Sequence, residues 1–111
     1  MTRILSCFTN CYGPDGVWTA VDRIRDAGVD YLELALRGHD FGGLVIPESA
    51  VVTEKADDAT AQKFVDHLAA NGVKVSGCNV GGADIRTEDG VALTERRIRF
   101  AAKWFAAPIC V

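Results

Sequence analysis

One glutamate interrupts an apolar segment of the chain, and packing alone does not explain it. Leu32 and Leu34 flank Glu33, and in a β-strand alternating residues point to opposite faces, so Glu33 faces away from both leucines. A carboxylate in a protein interior is costly unless it is paired or hydrogen-bonded. We therefore expect a partner such as Arg37, Lys74, a ligand or a metal-bound water. Two interpretations stay open: pairing with a base on a neighbouring strand, or lining of a pocket.

Histidines and cysteines are the other residues with metal or nucleophilic chemistry. His39, beside Asp40, follows the same apolar segment and is either a plain loop residue or a substrate contact. His67 lies off the apolar stripe of a predicted helix, so we expect it to be exposed. Cys7 and Cys11 invite a zinc interpretation, but no second spaced pair accompanies them, which favours buried thiols.

A third group of polar residues follows a later apolar segment. Strand alternation over residues 73–78 places Lys74, Ser76 and Cys78 on one face, with Asn79 at the carboxyl end. Residues 81–82 are two glycines without the Lys-Ser or Lys-Thr that a phosphate-binding loop needs, so they predict a flexible turn.

Composition limits the classes of protein that these residues can serve. The chain has 111 residues, 49% of them hydrophobic and 24% charged, and a formal net charge of −3, which suits one globular domain and disfavours nucleic acid as a partner. No apolar run approaches the roughly 18 residues of a membrane span, and the start turns polar too early for a signal peptide. A cytoplasmic protein with reduced thiols is expected. The basic residues of the last predicted helix form a solvated face: Arg96, Arg97, Arg99 and Lys103.

Apolar segments and helical patterns alternate along the chain. Strands are predicted over residues 4–9, 31–36 and 73–78, with a fourth beginning at 108. The first helix has an apolar stripe from Val17 to Ala27 and ends at Gly28. The second opens at Asp57 or Asp58 and ends at Gly72. The third spans roughly residues 91–106, with an apolar stripe at Val91, Ile98, Ala101, Ala102 and Phe105.

This alternation is typical of βα units that feed a parallel sheet. A complete eight-unit barrel needs about 250 residues. We therefore expect an α/β fold in which residues 1–111 supply the first three βα units of a TIM barrel and the start of the fourth parallel strand. The strand order should be 1-2-3-4, with the helices on one side.

Three segments resemble the xylose isomerase-like TIM barrels, the superfamily of sugar phosphate isomerases and epimerases. They are residues 27–34 (AGVDYLEL), 71–76 (NGVKVS) and 96–108 (RRIRFAAKWFAAP). In that family the corresponding segments occur in the same order. The first leads into the second strand, the second leads into the third strand, and the third is the helix that precedes the fourth strand. One departure is that Ala106 stands where the family has glycine, in a position suited to a left-handed cap, at a cost of about 1 kcal/mol if that geometry is kept.

The resemblance implies an enzyme for the parent protein. In that family a divalent metal stabilises an enediolate on a sugar or related hydroxy-carbonyl substrate while acidic residues move a proton. The family's metal ligands come from later strands, which this chain does not include, so the isolated chain should be inactive. The expected substrate-pocket residues are Glu33, Arg37, His39, Cys78 and Asn79, with no metal ligand among them.

Two alternatives to an isomerase-like barrel stay open, and a partial barrel also has a consequence for self-association. A complete doubly wound, flavodoxin-like binding or receiver module would place the first strand in the middle, with helices on both faces. The apurinic endonuclease branch of the superfamily needs more histidines and a DNA-facing charge surface. A partial barrel leaves unpaired strand edges, so the expected partners are a small sugar-like molecule and, through those edges, further copies of the chain.

Overall fold

The computed structural model describes residues 3–36 and 53–110 and contains strands that alternate with helices. The strands are β1 (Ser6–Phe8), β2 (Tyr31–Ala35), β3 (Lys74–Asn79) and β4 (Ile109–Cys110). The α-helices are α1 (Gly16–Arg23), α2 (Asp58–Ala70) and α3 (Glu88–Trp104). Short 3-10 segments, Thr9–Asp15 and Ile24–Ala27, flank α1. The mixed α/β class expected from the alternation is confirmed.

The four strands form one sheet in the order β1-β2-β3-β4, and each neighbouring pair is parallel. The predicted strand order is therefore confirmed. In the doubly wound alternative β1 would lie in the middle, whereas here it lies at one edge of the described sheet.

The helices and one face of the sheet enclose a single hydrophobic core. Ile24, Phe64 of α2 and Ala101 of α3 are all buried in it, together with Leu32 and Leu34 of β2. Helix α1 contacts α2, and α2 contacts α3, so the three helices pack side by side over that face. The prediction that Leu32 and Leu34 pack on helices is confirmed.

Helix ends follow the predicted signals closely. Asp57 caps α2, because its carboxylate accepts a hydrogen bond of 2.7 Å from the backbone N–H of Thr60. Gly28 and Gly72 adopt positive φ angles of 75° and 64° at the two predicted helix exits. Left-handed backbone at this position turns the chain out of the helix, and glycine adopts it without a Cβ clash.

Strand and helix limits differ from the predictions where apolar residues turn out to be exposed. Ile4 and Leu5 are 57% and 71% exposed, and β1 begins only at Ser6. Val91, placed on the apolar stripe of the third helix, is 52% exposed, and Ala102 is exposed too. Ala101 of the predicted stripe is buried, and Ile98 and Phe105 pack against the core, so the predicted stripe was wrong at Val91 and Ala102 only. Gly90 and Arg97 are buried although neither was on that stripe.

No helix within the described ranges is long and apolar enough to cross a membrane.

Ala106 leads the chain out of α3 towards β4, and its φ angle is 48°. Its N–H donates to the carbonyl of Ala101 at 3.2 Å, a bond that closes the helix end. In this left-handed conformation the Cβ of alanine lies too close to the neighbouring carbonyl oxygen, an unfavourable contact that glycine avoids.

We predict that Ala106→Gly raises the free energy of unfolding by about 1 kcal/mol, because it removes that strain. The matched control is Gly28→Ala, at φ 75° with no atom within 4 Å of the added Cβ, so no clash with another residue adds to the backbone strain. It should lower the free energy of unfolding by about 1 kcal/mol. Urea titrations of both variants measure the difference, and a destabilised Ala106→Gly variant would contradict the argument.

Candidate functional site

The face of the sheet that points away from the helices carries mostly polar side chains. The strand register places Ser6 beside Tyr31 and Gly77 beside Glu33 on this face, and Asn79 beside Ala35 at its carboxyl end. We call the set Ser6, Tyr31, Glu33, Ser76 and Asn79 the polar face. The prediction that Glu33 points away from the helices is confirmed.

Two serines cross-link the polar face over β2. Ser76 donates its hydroxyl proton to the carbonyl of Leu32 at 3.1 Å, so the 2.6 Å contact between Ser6 and Ser76 is a bond that Ser6 donates. These bonds tie β1 and β3 together through the strand between them. The result is a fixed polar surface at the middle of the sheet.

A β-bulge in β3 changes which residues reach this face. Leu32 pairs with Val75 but Glu33 pairs with Gly77, so Ser76 is an extra residue on its strand. Beyond the bulge the alternation of β3 shifts by one position. Cys78 therefore pairs with Leu34 and belongs to the hydrophobic core, with no exposed surface. Placing Cys78 on the same face as Glu33 was wrong, because simple alternation cannot register an inserted residue.

The environment of Cys78 makes it a poor nucleophile. Burial raises the pKa of the thiol to about 11, with a smaller contribution from the negative charge of Glu33. A thiol must ionise to attack a carbon or bind a metal, and almost none of this one is ionised near neutral pH. Cys78 acts as a core residue rather than as a pocket residue.

Glu33 is half-buried and has no ion-pair partner within residues 3–36 and 53–110. Lys74, one of its expected partners, instead places its ammonium 5.7 Å from the centre of the Tyr31 ring. That arrangement is a cation–π contact on the polar face. In this part of the chain, then, the Glu33 carboxylate is not neutralised by a base on the adjacent strand.

Asn79 ends β3 and is held by its surroundings. Its side-chain Oδ1 accepts a hydrogen bond of 3.2 Å from the N–H of Gly81, and its backbone carbonyl accepts one of 2.9 Å from the N–H of Leu36. The side-chain amide nitrogen donates to no group of the described ranges. Asn79 can therefore offer two N–H donors at the carboxyl end of the sheet.

Arg37 and His39, the other two expected pocket residues, lie outside the described residues. The structure thus brings Glu33 and Asn79 to one face and removes Cys78 from it.

The end of β1 carries polar residues that the sequence did not single out. Thr9 is fully buried, and its hydroxyl oxygen accepts a hydrogen bond of 3.2 Å from the N–H of Ala35. The side-chain oxygen of Asn10 is buried and has no hydrogen-bond partner in the part of the chain that the structure describes. No spacing pattern marks these residues, because both contacts depend on how β1 and β2 come together in space.

The prediction that Arg97 lies on a solvated face was wrong. The residue is 7% exposed and forms an ion pair with Glu54. Arg99, also assigned to that face, is exposed as expected and pairs with Glu95 on the same helix. Charge spacing alone does not distinguish an arginine with a buried partner on another segment from one in water.

His67 and Cys11 also differ from expectation. His67 is not a free surface residue, because its Nε2 lies 2.7 Å from an oxygen of Asp22 and its ring packs 5.0 Å from that of Trp18. These contacts join α2 to α1. Cys11 was expected to be buried but is exposed. Cys7 is half-buried, and desolvation, with Cys11 as a smaller cause, raises the pKa of its thiol.

No group of three or more possible metal ligands occurs among the residues that the structure describes. No protein-family model matches the sequence, and no curated protein is significantly similar to it. The interpretation of the site therefore depends on its geometry and on the resemblance of its motifs.

We predict that native Cys78 resists alkylation by iodoacetamide at pH 8 whereas Cys11 is modified. The buried thiol is almost entirely protonated at this pH and is out of reach of solvent, and Cys11 is exposed. Mass spectrometry of the two cysteine-containing peptides measures the difference. In denaturant both should react, and modification of native Cys78 at the rate of Cys11 would contradict its place in the core.

Proposed function

We propose that this chain forms the amino-terminal part of a sugar phosphate isomerase-like or epimerase-like TIM barrel. The observation that carries the proposal is the parallel sheet in sequence order, with its helices packed side by side on one face and Glu33 and Asn79 on the other. A barrel built from βα units places its helices outside and its active site at the carboxyl ends of the strands. The motif resemblance supplies the substrate class, a sugar or related hydroxy-carbonyl compound.

The chemistry proposed for the parent enzyme is proton transfer next to a carbonyl group. A divalent metal would supply Lewis-acid stabilisation of the enediolate. The described residues do not form a site for that metal, so its ligands are proposed to come from later strands.

The chain's own contribution is to bind and orient the substrate. The Asn79 amide can donate hydrogen bonds to a substrate hydroxyl or carbonyl oxygen, and the Glu33 carboxylate can accept one from a hydroxyl. Glu33 is half-buried and has no basic partner among the described residues, and a substrate hydroxyl would reduce the cost of burying its carboxylate. Arg37 and His39 remain proposed pocket residues, from their place in the sequence directly after β2.

The proposal includes a cytoplasmic protein whose partner is a small sugar-like molecule, without nucleic acid or membrane. It also includes self-association of the isolated chain, because β1 and β4 each have an unpaired edge in the described sheet.

The isolated 111-residue chain should neither isomerise aldose or ketose phosphates nor gain thermal stability on addition of Mg²⁺, Mn²⁺ or Co²⁺. A ligand stabilises a fold only if the fold binds it, and the metal ligands are proposed to lie elsewhere. Proton NMR of sugar phosphates and thermal melts with and without each metal test both statements. A metal-dependent rise in melting temperature that Glu33→Gln abolishes would overturn this division of roles.

A longer protein encoded by the same reading frame tests the proposed activity directly. Glu33→Gln and Asn79→Ala should each lower kcat/KM for the sugar substrate about tenfold or more, as expected when one hydrogen bond to a substrate is lost. Glu95→Gln is the control, since Glu95 is exposed on α3 and, among the described residues, pairs only with Arg99. Unchanged kcat/KM in both polar-face variants would exclude this site.

A further inference from the structure

A buried ion pair lies beside the loop that follows β3. The side chains of Arg97 and Glu54 are 9% and 6% exposed, and Arg97 Nε lies 3.5 Å from Glu54 Oε2. Neither of these two atoms makes a hydrogen bond to any of the described residues. From the same guanidinium, Nη1 donates to the carbonyl of Gly81 at 2.9 Å and to that of Val80 at 3.4 Å.

Stability does not explain why two charges occupy this position. A buried ion pair gains little over well-packed apolar residues, because desolvation offsets the attraction between the charges. The atoms without hydrogen bonds make the pair less favourable still. An apolar pair could fill the same space. What it could not do is donate hydrogen bonds to the two loop carbonyls.

Gly81 connects this pair to the polar face. Its carbonyl accepts from Arg97 on α3, and its N–H donates to the side-chain oxygen of Asn79 at 3.2 Å. The Gly81 residue is therefore fixed at both of its backbone polar groups, once by α3 and once by the side chain that ends β3. A displacement of Gly81 away from Asn79 would break the bond that orients the Asn79 amide.

We propose that Arg97 is a positioning residue, which fixes Gly81 and, through Gly81, the Asn79 side chain, while Glu54 balances the charge of the guanidinium. That Asn79 contacts a sugar rests on the proposed function, but the positioning itself does not. Within the described residues Arg97 donates to the carbonyls of Val80 and Gly81 and to no side chain of the polar face, so it acts on Asn79 through the loop.

Hydrogen exchange separates positioning from general stability. We compare the wild-type chain with Arg97→Met, with the double variant Glu54→Met/Arg97→Met, and with Arg99→Met as a control that removes one exposed arginine from the same helix. Arg97→Met leaves Glu54 buried and unpaired, so the melting temperature of this variant should fall below that of the wild type. The double variant removes both charges but leaves the two loop carbonyls without their donor, so its melting temperature should lie above that of Arg97→Met and below that of the wild type.

In the double variant Gly81 should be held less firmly than in the wild type, even though the thermal stability is partly restored. In the double variant the Gly81 amide should exchange about tenfold faster than in the wild type, the loss expected for a hydrogen bond that is no longer held. Arg99→Met should leave this rate unchanged. Mass spectrometry of peptides covering residues 79–83 measures the exchange and tolerates self-association of the chain.

A double variant with wild-type melting temperature and wild-type exchange at Gly81 would overturn the proposal, because the loop would then hold its position without Arg97. The experiment uses no substrate. Faster exchange together with an inactive longer protein would retain the positioning role and reject only the proposed isomerase function.

Discussion

The extra residue in β3 determines which side chains face the core and which face the polar surface. Before Ser76 the strand is in register with β2, so Lys74 lies beside Tyr31; beyond it the pattern shifts, and Cys78 enters the core beside Leu34. The same shift brings Asn79 to the face of Glu33. Without the bulge, the core would receive the asparagine and the polar face would receive the thiol, so both the packing and the candidate site depend on it.

The order of elements could be predicted from the sequence because its signals are local. Gly28 and Gly72 mark the ends of helical segments, and the alternation of leucines around Glu33 sets the face of β2. Ala106 belongs to the same category, since its positive φ is a property of one residue at a helix end. In each case neighbouring residues along the chain carry the physical cause.

The predictions that were wrong depend instead on contacts between residues far apart in the sequence. Whether Arg97 faces water or the core depends on Glu54, which precedes it by two secondary-structure elements, and on two carbonyls of a loop. The position of Cys78 depends on the register between two strands. Of the candidate site, Glu33 and Asn79 could be found from the sequence because they end or interrupt apolar segments. The groups that orient them, such as Gly81 and Arg97, could not.

The hydroxyl of Thr9 has a consequence for how the first βα connection can vary in evolution. It accepts the N–H of Ala35 at a point where β1 has already ended, so a side chain replaces one step of the backbone ladder. The chain can then leave the sheet early without leaving that amide unpaired. The connection after Thr9 can therefore change in length or sequence without removing the partner of the Ala35 amide, so variation there need not disturb the β1–β2 pairing.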